Sequence, residues 1–149
     1  MADLNLKDEQ LIRTKALPAS ASASIATDAI QLVGGADSQG GFYCECELLI
    51  NVPALSATIL PAAVVSPAAA AGKLTVSVEE SDTDSADSWN TAATIYSFDI
   101  EGGESGGSAA VEKRFRLPIG VKKFIRVKAT TNATATDASA VTLTASLVF

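Results

Sequence analysis

The chain has 149 residues, enough for one ordinary domain with a single core, and carries a net charge of −6. That balance excludes a general nucleic-acid binder, which needs a dominant basic face. Histidine is absent, so Ser-His-Asp triads, Cys-His pairs and His-ligated metal centres cannot be assembled.

Apolar residues make up 48% of the chain but aromatic residues only 5%, so the core is expected to consist of small and branched aliphatic side chains. The acidic N-terminal stretch has no apolar run and reads as lacking a signal peptide. No segment approaches the roughly 18 consecutive apolar residues of a membrane span. The most apolar segment, 52–71, is interrupted by Pro53, Pro61 and Pro67.

Residues 1–18 place Leu4, Leu6, Leu11, Ile12 and Leu17 among charged side chains. They are expected to form an N-terminal arm, extended or with a short amphipathic turn over 8–15, ahead of a body spanning 19–149. After a small-residue linker at 19–23 the apolar period becomes two and stays there. A first strand is expected over 24–33, closed by Gly34-Gly35. The next, over 42–52, puts Phe42, Cys44, Cys46, Leu48, Ile50 and Val52 on one face. Cys44 and Cys46 point the same way, so a disulfide between them would distort the strand, and they are read as small buried hydrophobes.

The proline-punctuated segment 53–67 is expected to be irregular or an edge, without a home in the core. Strands follow at 73–79, with Leu74, Val76 and Val78 inward, and at 94–100, with Tyr96, Phe98 and Ile100 on one face. The acidic loop between them, 80–90, has alternating carboxylates at Asp82 and Asp84. It lacks the glycine and the closing Glu of a calcium loop, and Trp89 at its end is expected to close the end of the body. Carboxylate-pair hydrolysis finds its obvious acids, Glu79, Glu80, Asp82, Asp84 and Asp87, crowded into one polar loop, with no set of aromatics to hold a sugar. The glycine-rich tip 101–108 leads into a strand and lacks the Lys-Ser/Thr of a phosphate loop, and is expected to be mobile. No catalytic, cofactor or metal residue is therefore assigned, and the chain is not expected to be an enzyme.

The stretch 112–128 holds seven of the eleven basic residues: Lys113, Arg114, Arg116, Lys122, Lys123, Arg126 and Lys128. Residues 1–110, by contrast, hold fifteen carboxylates. Its two alternating runs flank the turn Leu117-Pro118-Ile119-Gly120 and are expected to form a cationic hairpin. Two readings stay open for these charges: a guard against edge-to-edge aggregation, or a one-sided docking patch for an acidic partner or the chain's own acidic half. A last strand over 140–149 completes seven or eight strands with no long helix. The pattern predicts an all-β fold, an antiparallel β-sandwich or jelly roll.

Several of these stretches resemble the capsid cement (decoration) proteins of tailed bacteriophages, in particular the jelly-roll type of a short-tailed Bordetella phage. The likeness runs through 19–32 (ASASASIATDAIQL), 74–81 (LTVSVEES) with its Asp-rich loop and Trp89, Arg116-Leu-Pro-Ile-Gly-Val-Lys-Lys-Phe-Ile-Arg-Val, and the Thr-Ala-Ser-Leu-Val ending. It covers most of 19–149 but neither the arm nor segment 53–71. The resemblance implies a virion structural protein, made in the host cytoplasm and bound to the outer surface of the head. There it would clamp neighbouring major capsid protein subunits, as a homodimer or homotrimer, without nucleic acid, membrane or cofactor. Candidate contacts are Leu4, Leu6, Leu11 and Ile12 of the arm, and Arg114, Arg116, Lys122, Lys123, Arg126 and Lys128. The alternatives are a carbohydrate-binding β-sandwich module, with Trp89, Tyr43 or Tyr96 as sugar platform, and a tail or baseplate adaptor.

Overall fold

A computed structural model describes residues 11–32, 47–65 and 68–148. Leu4, Leu6, Phe42, Tyr43, Cys44, Cys46 and Phe149 lie outside the described residues. Eleven β segments and one short helix follow one another: β1 (Ile12–Ala16), β2 (Ser24–Ala26), β3 (Ile30–Gln31), β4 (Glu47–Val52), β5 (Val64–Val65), β6 (Ala68–Ala69), β7 (Lys73–Ser81), α1 (Ala86–Asn90), β8 (Ala93–Glu101), β9 (Val111–Arg116), β10 (Phe124–Thr131) and β11 (Thr142–Val148).

They build two antiparallel sheets. The first has the order β1-β11-β4-β9; the second has β2-β10-β7-β8, with β3 pairing on β10 beside β2. β5 and β6 pair with each other and, among the described residues, with no other strand. The two sheets form a β-sandwich because alternation gives each an apolar face. Leu48, Ile50, Val52, Leu143, Ala145 and Leu147 come from the first sheet, and Leu74, Val76, Val78, Ile125, Val127 and Ala129 from the second, and all belong to one buried cluster. Aliphatic side chains dominate this core, as composition requires. Aromatic rings close one edge, where Tyr96 and Phe98 of β8 meet Phe115 of β9 with ring centroids 4.5 and 5.9 Å apart.

Part of the expected arm belongs to the body. Ile12–Ala16 pairs along its whole length with β11, and Leu17 is buried. The apolar residues spaced among charges over 1–18 suggest amphipathicity, but backbone pairing at a sheet edge places 12–16. The expected first strand is split into β2 and β3, and both halves lie against β10. Between them Thr27 is buried, its hydroxyl accepting from the Val127 N–H at 3.1 Å.

Two other expectations fail together. Segment 53–67 has a home after all, because Leu55 and Leu60 are core residues. The glycine-rich tip is tied to it: Leu55 and Ser108 exchange both backbone hydrogen bonds at 2.8 and 3.0 Å, and the Gly107 N–H donates to the Leu60 carbonyl at 2.7 Å. Glycine is needed for this approach. A Cβ at Gly102 would lie 2.6 Å from the Leu60 and Pro61 carbonyl oxygens, and Gly107 has φ +72 with the Leu55 carbonyl 2.8 Å from where its Cβ would be.

Asn132 completes this end of the sandwich. Its Oδ1 accepts from the N–H groups of Lys73, Thr134 and Ala135 at 3.0, 3.2 and 2.9 Å, and its Nδ2 donates to the Ala71 carbonyl at 2.8 Å. The asparagine of the Asn132-Ala133-Thr134 triplet is thus spent on holding loops.

Gly107→Ala is expected to cost about 1–3 kcal/mol, combining a left-handed backbone with a carbonyl clash. Urea unfolding of the variant measures it, and an unchanged midpoint would show that the tip can move away from Leu55 without loss.

Candidate functional site

The basic stretch 112–128 is not a hairpin. β9 pairs with β4 in the first sheet, whereas β10 pairs with β2, β3 and β7 in the second. Segment 117–123 therefore crosses from one sheet to the other, and its cations are divided between two faces. Alternation was read correctly within each strand, but nothing in the local sequence tells whether the turn folds a strand back or hands it across.

On the first sheet Arg114 lies on the outer face. It stands 3.9 Å from both Glu47 and Glu112, distances and exposures that make these weak surface pairs. Arg116 is exposed opposite Glu47. Lys113 is opposite Ile50 and so takes the inward-facing side of an edge strand, between Val111 and Phe115. At the other edge Arg13 and Lys15 stand opposite Ala145 and Leu143, again on the inward side. Arg13 reaches across and donates to the Ala29 carbonyl at 3.1 Å. Inward-pointing charge on both edges of one sheet is how a sandwich refuses a further strand. This geometry favours the guard reading for Lys113, Arg13 and Lys15. Leu11 and Ile12, the arm contacts within the described residues, are half-buried; Ile12 lies opposite Ser146 on the outer side.

On the second sheet the cations are held by the acidic half of the same chain. Arg126 and Glu79 are cross-strand partners. Arg126 Nε and Nη2 both meet Glu79 Oε2 at 2.8 Å, and Lys128 Nζ meets Oε1 at 3.2 Å. Glu79 is only 6% exposed. A β-bulge between Val78 and Glu79 in the pairing with β8 falls at this point.

The Arg126 guanidinium also sits 4.3 Å from the ring centroid of Trp89. The indole N–H of Trp89 donates to Asp84 Oδ1 at 2.9 Å. Helix α1 presents this ring because Ser85 and Ser88 form a reciprocal capping box at its start. Lys122 is anchored twice: its amine meets Asp82 Oδ2 at 2.9 Å, and its backbone N–H donates to Glu80 Oε2 at 3.0 Å. The Asp82 contact holds the Lys122 amine above its usual range. Lys123 lies with its amine 5.5 Å from the Phe124 ring centroid.

The acidic loop is therefore the counter-charge of the basic stretch, within one molecule. Asp82 and Glu80 both hold Lys122 while Asp84 holds Trp89, and among the described residues no three acidic or sulfur ligands converge on a point. Trp89, 8% exposed and with Arg126 against its ring, has no open face for stacking a sugar. Tyr96 stacks on Phe115, and its hydroxyl donates to the Arg116 carbonyl.

What sequence reasoning missed lies in the crossing turn itself. The Val121 N–H donates to the Pro118 carbonyl at 3.2 Å, and Gly120 has φ +87, so 118–121 is a type II turn. Leu117 and Val121 on either side are buried, while Ile119 at the apex is 99% exposed, the one large hydrophobic so exposed among the described residues. The Pro-x-Gly spacing was a signal for the turn; the exposure of its middle residue was not.

No protein-family model matches this chain, and no curated protein matches it.

Two predictions follow from these pairings. Glu79→Ala leaves two cations without their buried counter-charge and is expected to destabilise by roughly 3 kcal/mol. Its effect and that of Arg126→Ala should fall well short of additive in a double-mutant cycle read by denaturant unfolding; simple additivity would mean the pair carries no coupling. On the same sheet the Thr75 hydroxyl, 2.6 Å from Asp99 Oδ1, and the Lys73 amine, 3.2 Å from Oδ2, hold the Asp99 carboxyl below its usual range, with burial opposing. A depressed folded-state pKa contributes stability above the unfolded value near 3.8 that is lost as pH falls through the folded one. Asp99→Asn should accordingly lower the melting temperature slightly at pH 7 and flatten its fall below about pH 4; parallel curves for the two proteins would refute this.

Proposed function

We propose that this chain is a virion structural protein, a capsid cement protein that binds the outer surface of a phage head and stabilises contacts between major capsid protein subunits. The observation that carries the reading is strand order. With β2 and β3 counted as one strand and the β5–β6 hairpin set aside, eight strands remain in chain order. The first, eighth, third and sixth make one sheet, and the second, seventh, fourth and fifth make the other. Successive strands then change sheet at every step but the fourth to fifth. This is the wrapping of two Greek keys into a jelly roll, so we read the sandwich as a jelly roll. The motifs that resemble phage cement proteins fall on it coherently. LTVSVEES is a central strand with its Asp-rich loop and Trp89, and the Leu-Pro-Ile-Gly segment is the turn between sheets.

The mechanism is adhesion. A protein that binds the mature shell better than any other state of it shifts the shell toward that state by its differential affinity. Repetition over a lattice multiplies a modest contact. A body stapled by its own ion pairs, with inward-pointing charge on both edges of its first sheet, suits that role: it presents a rigid surface and discourages strand addition to that sheet. The carbohydrate-module reading gains nothing from Trp89 or Tyr96, whose rings are engaged within the fold.

Heads purified without this protein and emptied of DNA should disrupt at a higher temperature, and survive osmotic shock better, once it is added back. Unchanged disruption temperature and survival would rule out a cement role.

A further inference from the structure

We infer that the turn Pro118-Ile119-Gly120 is the element that inserts into the partner, with Ile119 as an apolar anchor seated in a socket of the shell surface whose rim carries carboxylates. This rests on the proposed function above and names the contact it would use.

A lone exposed aliphatic residue is ordinary on a protein surface. Three features set Ile119 apart. The first is its position, the apex of a turn, where it is 99% exposed and its side chain covers nothing of its own fold. The second is that the turn's shape is built for presentation. Gly120 needs glycine for φ +87, although a Cβ there would meet nothing within 4 Å, so backbone conformation and not packing demands it.

The third is rigidity on both flanks. Leu117 and Val121 are buried in the core, and the Arg116 carbonyl accepts from the Tyr96 hydroxyl. Lys122 is fastened to Asp82 and Glu80, and the Lys123 carbonyl accepts from the Leu32 N–H at 2.8 Å. A β-branched side chain on a turn pinned at this many points has little freedom left to lose on docking.

Charge supplies the rim. Arg116 at the end of β9, and Lys122 and Lys123 of the crossing segment, stand at the two feet of the turn, and its own four positions 118–121 carry no acid. A socket bordered by carboxylates complements that arrangement, and the Lys122–Asp82 pair, with side chains 40% and 73% exposed, lies open enough to share its cation. A second copy of this chain offers only like charge at the two edges of its first sheet, where Arg13, Lys15 and Lys113 stand on the inward side.

The test uses Ile119→Ser and emptied, expanded heads purified without this protein. Thermal melting of the variant should match the wild type, since the side chain packs on nothing. Its affinity for heads, measured by co-sedimentation against concentration, should fall by about 10- to 100-fold, the range for losing a buried aliphatic anchor. Binding of the wild type should weaken as salt rises. Equal binding by the two proteins overturns the anchor while leaving the cement function standing. Failure of the wild type to bind heads removes both. Sedimentation velocity separates the remaining occupant: wild type that self-associates where Ile119→Ser stays monomeric would show that the socket belongs to a second copy and overturn the shell assignment.

Discussion

Neither sheet of this protein has a reason to exist without the other. Each is apolar on one face only, and the side chains there are mostly aliphatic: Val, Leu, Ile and Ala, with Tyr96 and Phe98 meeting Phe115 at one edge. Burying such a face requires a second face of the same kind at sheet-packing distance, about 10 Å away. Once that packing is set, every connection must travel between sheets or along an end, and the remaining features of the molecule follow from how those connections are satisfied.

The two ends solve this differently. At one, the connections 17–23, 53–65, 68–72, 102–110 and 132–141 are knitted by backbone hydrogen bonds, with glycine giving close approach and Asn132 satisfying four backbone groups. Backbone-to-backbone contact of this kind leaves few side chains to recognise anything. At the other, charged side chains do the joining. The acidic connection between β7 and β8 holds the basic connection between β9 and β10 through Lys122, while Glu79, Arg126 and Trp89 form a layered stack on the outer face of the second sheet. The acidic and basic halves of the sequence are complementary because they are neighbours in the fold. An ion pair as enclosed as Glu79 with Arg126 adds less to net stability than to the uniqueness of the arrangement, since breaking it is costly while an apolar replacement need not be.

Charge on the edges of the first sheet serves a separate purpose. Arg13, Lys15 and Lys113 occupy inward-facing positions where alternation alone would favour an apolar residue. Such residues forgo some burial so that no foreign strand can add to the sheet.

By itself the sequence determined the class and the faces. Alternation over 47–52, 73–79, 94–100 and 142–148 marked which side chains of β4, β7, β8 and β11 face the core, because a strand's two faces are dictated by a period of two and need no knowledge of the neighbour; it did not show that Glu79, on the outer face, is buried as well. Only the tertiary structure decided which strands meet. Residues 12–16 read as an arm because a short edge strand owes its place to backbone pairing, which leaves no mark in side-chain period. Leu55 and Leu60 looked homeless because prolines hide a core contact made by irregular chain. The seven cations of 112–128 looked like one patch because proximity in sequence was taken for proximity on a surface. A four-residue turn can close a hairpin or hand the chain to the opposite sheet, and the choice is made by what the flanking strands pair with elsewhere. That handover divides the charges, sets Glu79 against Arg126, and leaves Ile119 alone at the apex.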